Sequence, residues 1–152
     1  MAHLVSQATG FFLTKMRKHD ARGRLLASLL LTCLLSEVGP AAAMELCSGP
    51  NRVTCVVDGD TVWIEGEKIR LEGIDAPEPG GRCYEELIAA AKATERLRVL
   101  LTENHFTIER SGKDRYGRTL AKIMIGHRSA GEIMMSEGLV RKWRGRRENW
   151  CE

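Results

Sequence analysis

The chain has 152 residues, with 23 basic and 20 acidic side chains and a net charge of +3. Residues 1–43 hold five of the basic and two of the acidic residues, which leaves 18 of each in the remainder. That balance excludes a generally basic surface as an argument for nucleic acid; only local patches can carry one.

In chain order, the first segment is polar and basic, with Lys15, Arg17, Lys18, Arg22 and Arg24. "LLASLLLTCLL", residues 25–35, is an apolar run. It falls short of the roughly 20 residues that cross a bilayer. "SEVGPAAAM" follows and contains the small-x-small pattern of Ala41–Ala43. Basic, then apolar, then small is the order of a secretory signal, as against a buried core helix or an uncleaved anchor. The expectation is a signal peptide over 1–43, removed near Ala43, and one domain over 44–152. Such a protein would be secreted or periplasmic, free of the membrane after cleavage, and monomeric. The basic stretch is long for a signal, which leaves Met16 open as the start.

A domain of this size has a modest core and gains from covalent help. Cys33 would leave with the signal, and Cys47, Cys55, Cys83 and Cys151 remain. An even count in an exported chain favours two disulfides, with three connectivities open. The expected one joins Cys47 to its neighbour Cys55. Cys83 and Cys151 would then tie the tail to the start of a long helix. Zinc is the competing use, but no C-x-x-C pair or paired histidine spacing supports it.

"RVTCVV" and "TVWIEG" are β-branched runs separated by the turn Asp58-Gly59-Asp60. "EGEK" is a second turn. "KIRLEGI" alternates Ile69 and Leu71 on one face with Arg70 and Glu72 on the other. "APEPGGRC" is a loop. From Tyr84 to Leu101 the period is helical, with a stripe of Leu87, Ala90, Ala91, Thr94, Leu97 and Leu101. Glu85, Glu86, Lys92 and Arg96 fall outside that stripe. "HFTIER" is a strand, "SGKDRYGR" a turn, "TLAKIMIG" a strand, "SAGEIMMSEG" a short helix, and "LVRKW" a candidate last strand. About five strands with a long helix after the third predict a mainly β fold. A small antiparallel sheet loses its edges by closing, so the expected form is a five-stranded OB-fold barrel.

The chemistry gathers at strand ends. Asp60 begins the second strand and Asp75 follows the third, and a meander brings those positions together. Paired carboxylates are relieved by a hard divalent cation held through oxygens, Ca²⁺ or Mg²⁺. Glu78, on a loop stiffened by Pro77 and Pro79, can orient a water beside such an ion or accept its proton. Arg70 and Arg118 can fork phosphate oxygens, Gly117 turning the chain so that Arg118 faces the sheet. Together these describe phosphodiester hydrolysis. Trp143 could stack a base beside Lys142, Arg144, Arg146 and Arg147, although a solvated basic tail explains them equally well. His105 and His127 have no partner spacing, and Met124, Met134 and Met135 fit packing.

"DGDT", "RLEGIDAPE" and "DRYGR", in this order, resemble the motifs of the thermonuclease family, also called staphylococcal-nuclease-like. The resemblance runs from about Arg52 to Trp143. It implies an OB-fold, one Ca²⁺, and cleavage of DNA and RNA to 3′-phosphate products. It implies Asp60, Asp75 and the backbone carbonyl of Ala76 as metal ligands, and Glu78, Arg70 and Arg118 as catalytic residues. Arg115 and Tyr116 match nucleotide-contacting positions. A non-catalytic OB-fold module that binds nucleic acid is the alternative, and it predicts gaps among those side chains that the sequence does not have. The lysine-rich loop after P-E in the best-known members is here only "PGGRCY". The cysteines are no feature of those members, and the C-terminal helix is curtailed to "RGRRENWCE".

Overall fold

A computed structural model describes residues 43–151; the expected signal peptide, apart from Ala43, lies outside the described residues. The elements are β1 (Glu45–Leu46), β2 (Cys55–Asp58), β3 (Thr61–Ile64), β4 (Glu67–Leu71), β5 (Ile74–Asp75), α1 (Tyr84–Glu103), β6 (Thr107–Lys113), β7 (Thr119–Ile125), β8 (Arg128–Ser129), α2 (Ala130–Ser136) and β9 (Arg141–Lys142). The main sheet runs β1-β2-β3-β4-β7-β6, with β8 beside β7. A separate pair joins β5 to β9.

The β-branched alternation becomes burial. Val56, Val62, Ile69, Leu71, Ala121 and Ile123 all face the core. The turn from β3 to β4 is two residues long, with Glu65 at φ 51° and Gly66 at φ 82°. Positive φ at both positions matches the twist of a tight hairpin, and glycine carries one of them without strain. α2 starts at a capping box in which Ser129 and Glu132 satisfy each other's backbone N–H groups.

Four expectations need correcting in detail. "RVTCVV" becomes strand only at Cys55, and Val53 is exposed. β6 continues through Ser111-Gly112-Lys113, so the turn narrows to Asp114–Arg118. The sheet is mixed, because β1 pairs with β2 and β4 with β7 in parallel. Between β4 and β7 the long α1 connection permits this, since a parallel neighbour is usually reached by a crossover of a dozen residues or more. Last, among the described residues no ladder joins β6 back to β1 or β2, so the sheet is not closed by hydrogen bonds. α1 packs against β2 and covers the core on that side.

The inward stripe of α1 is also rotated from the expected one. It is Glu86, Ala90, Ala93, Leu97, Leu100 and Leu101, while Leu87 is 41% exposed. The reason lies in two close approaches. A Cβ on Gly59 would lie 2.7 Å from Ala93 Cβ and 2.9 Å from Ala76 Cβ, so the Asp-Gly-Asp turn needs the smallest side chains beneath it. A Cβ on Gly81 would lie 2.6 Å from Glu86 Cγ, so the Gly-Gly loop admits the Glu86 side chain. Gly59→Ala should therefore cost about 1–3 kcal/mol, the usual range for overpacking a tight contact. Urea unfolding checks this; a variant as stable as the parent would show that the turn can shift aside.

Candidate active site

The turn between β2 and β3 places the first acid. Asp58 Oδ1 accepts the Asp60 N–H at 3.1 Å, which fixes the turn. Asp60 is 4% exposed. Its Oδ1 accepts the Thr61 hydroxyl at 3.0 Å, and its Oδ2 accepts the Ala76 N–H at 3.1 Å. Its ion partner is Arg70, which stands opposite Thr61 across the β3–β4 ladder. Burial pushes the Asp60 carboxyl up to about 7; Arg70 opposes the rise and Asp58 adds to it. Arg70 also donates to the Ile74 carbonyl at 3.2 Å, and its Cζ lies 5.9 Å from the Trp143 ring centroid.

Asp75 enters from β5, held in register by Arg141 of β9. It is 2% exposed, and its Oδ2 accepts from the Glu148 N–H at 3.1 Å and from Trp150 Nε1 at 3.3 Å. Three residues later, Glu78 is half-buried and forms an ion pair with Arg147. Burial raises its carboxyl above the usual range, opposed chiefly by Arg147. Glu86, buried beneath this loop, accepts from the Arg82 N–H at 2.9 Å and from the Glu78 N–H at 3.4 Å.

The Asp114–Arg118 loop is organised by its own aspartate. Asp114 Oδ1 accepts from the N–H groups of Tyr116 and Arg118, both at 2.9 Å, and Oδ2 accepts Arg118 Nε at 2.6 Å. Gly117, at φ 79°, supplies the left-handed residue the turn requires. The Arg115 and Arg118 guanidinium carbons lie 4.8 and 5.5 Å from the Tyr116 ring centroid.

These residues line adjoining hollows. A cavity of about 600 Å³ has Arg70, Arg115, Tyr116, Arg118, Trp143 and Arg147 in its walls. A second, of about 340 Å³, has Asp75, Ala76, Glu78, Glu86, Arg147 and Trp150. Asp60 lines neither hollow but contacts a wall residue of each, Arg70 in the larger and Ala76 in the smaller. The two hollows bring together Arg70, Asp75, Ala76, Glu78, Arg115, Tyr116, Arg118 and Trp143, while Lys142, Arg144 and the three methionines line neither. His105 and His127 are exposed and stand apart. Trp143 is 41% exposed and Tyr116 69%, both open to a flat ligand.

Both expected disulfides are formed, Cys47–Cys55 and Cys83–Cys151. Cys83, Glu86 and Cys151 bring their ligand atoms within 4.8 Å of one another, but both sulfurs are spent in the disulfide, so zinc has no thiolate here. The second bridge folds the tail over the site. Sequence reasoning missed that consequence, and with it the contacts of Arg147, Glu148 and Trp150, as well as Asp58 and Glu86. The available signal was the pairing itself: Cys83 opens the helix just past the Glu78 loop, so Cys151 must return there.

Comparison with known proteins matches residues 68–150 to the model of the Staphylococcal nuclease homologue family. The chain belongs to the staphylococcal nuclease family. The match covers Arg70, Asp75, Glu78, Arg115, Tyr116, Arg118 and the tail through Trp150; Asp60 lies upstream of it. The strands and helices described above are this family's OB-type fold. Among relatives, the succinoglycan biosynthesis protein ExoI of Rhizobium meliloti is 36% identical over 63% of this chain and 48% of its own length. A thermonuclease of Staphylococcus intermedius is 31% identical over 57% of this chain and 55% of its own length. A thermonuclease of Staphylococcus hyicus is 29% identical over 70% and 69%. The chain thus spans about half the length of the first two of these relatives.

Proposed function

We propose that this chain is an exported, Ca²⁺-dependent nuclease that hydrolyses phosphodiester bonds of DNA, RNA or both to 3′-phosphate products. The observation that carries the reading is the adjoining pair of hollows. Arginines Arg70 and Arg118 stand in one, acids Asp75 and Glu78 in the other, in a chain of a nuclease family. Export rests on the basic, apolar and small order of residues 1–43 and on the two disulfides.

The donor set fits a hard cation. Asp60 and Asp75 are buried and offer only oxygen, and a bound cation would offset the burial that disfavours the Asp60 anion. Asp60, Asp75 and the Ala76 carbonyl would hold Ca²⁺, which supplies Lewis-acid polarisation of a phosphate oxygen when bound. The rest falls to this chain's own side chains. Arg70 exchanges its Asp60 partner for a phosphate oxygen. Glu78 takes a proton from the attacking water. A new oxygen–phosphorus bond forms as the bond to the 5′ oxygen breaks, and that oxygen takes a proton from solvent. The phosphate stays on the 3′ side. Arg70 and Arg118 stabilise the charge on the five-coordinate transition state, and Tyr116, Arg115 and Trp143 hold the flanking nucleotides.

The test is cleavage of plasmid DNA and of RNA by residues 44–152 in Ca²⁺ and in excess chelator, with end-group analysis. Cleavage should need Ca²⁺ and leave 3′-phosphates. Asp60→Asn should raise the Ca²⁺ concentration required and slow cleavage strongly. Undiminished activity in chelator would remove the metal assignment, and binding without cleavage would leave the non-catalytic module.

A further inference from the structure

The tail after β9 is the part of the site that the family motifs do not explain. It is held at both ends of its course. Trp143 N–H donates to the Gly73 carbonyl at 2.9 Å, and Cys151 is bonded to Cys83 at the head of α1. Between these anchors, Arg141 Nη1 donates to the Asn149 carbonyl at 2.8 Å, and its Cζ lies 4.1 Å from the Trp150 ring centroid. Glu148 N–H and Trp150 Nε1 reach Asp75, and Arg147 reaches Glu78. A merely solvated tail would not place its groups on two buried or half-buried acids.

Among the described residues, Arg147 is the only arginine that lines both hollows. Arg146 lines the larger one, and no carboxylate lies within ion-pair distance of it among the described residues. The larger hollow holds Arg70, Arg115, Arg118, Arg146 and Arg147 against only Glu72 and Asp114. So much positive charge in one concave wall suits a chain of phosphates. The loop after Glu78, "PGGRCY", offers one cation, Arg82, and its side chain lines only the smaller hollow.

Resting on the nuclease reading above, we propose that the disulfide-held tail is a substrate-binding wall, with Arg147 and Arg146 gripping backbone phosphates next to the bond to be cut. Glu78 neutralises Arg147 when no strand is present. An arriving phosphodiester offers the guanidinium two acceptor oxygens and leaves Glu78 free to face water. The tail's arginines thereby supply the grip that a lysine-rich loop would give.

The experiment measures affinity for a single-stranded DNA oligonucleotide, and for RNA of the same sequence, in chelator over a range of salt. Arg147→Ala should weaken binding about tenfold at low salt and lower the slope of log affinity against log salt by about 0.7, the share of one phosphate on a single strand. Arg146→Ala should do the same to a smaller extent. Arg147→Lys should keep the slope, because it keeps the charge. A purely structural role for Arg147 would lower the unfolding temperature and leave the slope alone; that result overturns the proposal. So does tighter binding or faster cleavage by Arg147→Ala, which would make Arg147 a plug. Failure of the wild type to bind either strand in chelator while it still cleaves in Ca²⁺ would remove this proposal alone; failure both to bind and to cleave would remove the nuclease reading with it.

Discussion

Glu78→Gln should cleave DNA or RNA about a hundredfold to a thousandfold more slowly, the usual effect of removing one group that acts on the transition state. It should bind the uncleaved strand no more weakly than the parent. The amide keeps the shape of the side chain but cannot take a proton from water. It also removes the negative charge that pairs with Arg147, so the tail's cation meets less competition for a phosphate. The Glu78 backbone, held by Glu86 and Gly81, is unaffected, so a folding defect is not expected. Arg118→Ala should be at least as damaging. Asp114 orients that guanidinium through Nε at 2.6 Å, and no other arginine of the loop is held in this way. Arg115→Ala should instead act mainly on affinity. Single-turnover cleavage rates set beside affinities measured in chelator separate these cases, because a transition-state interaction lowers the rate without lowering ground-state binding. Wild-type cleavage by Glu78→Gln would reject Glu78 as the base.

Much of the candidate site's arrangement was legible because its residues sit at turns and strand ends. Asp58-Gly59-Asp60 reads as a turn on composition alone, and the meander of β2, β3 and β4 follows from alternation. These place Asp60 beside Ala76, sixteen residues on. The helix face was misread for a physical reason. Leu87 looks like a core residue, yet the turn above α1 needs alanine and glycine contacts, and Gly59 against Ala93 fixes the rotation of the whole stripe. Glu86 was read as an outward acid, but the Gly-Gly loop supplies backbone N–H groups that satisfy it inside. The parallel β4–β7 pairing was not legible either, since strand direction across a long helix leaves no mark in local pattern. The tail was the largest loss. Its arginines have no periodicity, and only the Cys83 partner tells where they lie.

Removing the Cys83–Cys151 bridge should cost more stability than removing Cys47–Cys55, and should also cost function. The first closes 68 residues and the second 8. Loop-closure entropy of the unfolded chain then gives about 4 kcal/mol for the long loop and about 2.5 kcal/mol for the short one. The short bridge joins Cys47, just after β1, to Cys55, the first residue of β2, and these strands are already paired in parallel. The long bridge is the covalent end of a tail whose remaining hold on the site is a few hydrogen bonds, a ring contact and the largely exposed Arg147–Glu78 ion pair. Each such bond contributes only about 0.5–1.5 kcal/mol net, too little to keep the tail ordered against the entropy regained by its residues. Cys83→Ser/Cys151→Ser should therefore unfold at lower urea than Cys47→Ser/Cys55→Ser. At a temperature where both variants remain folded by circular dichroism, only the first should bind single-stranded DNA more weakly and with a shallower salt dependence. Peptide mapping without reduction must first find both pairs in the parent protein. Equal stability losses would reject the loop-length argument. A Cys83→Ser/Cys151→Ser protein that binds as tightly as the parent would show that the tail stays in place without its bridge.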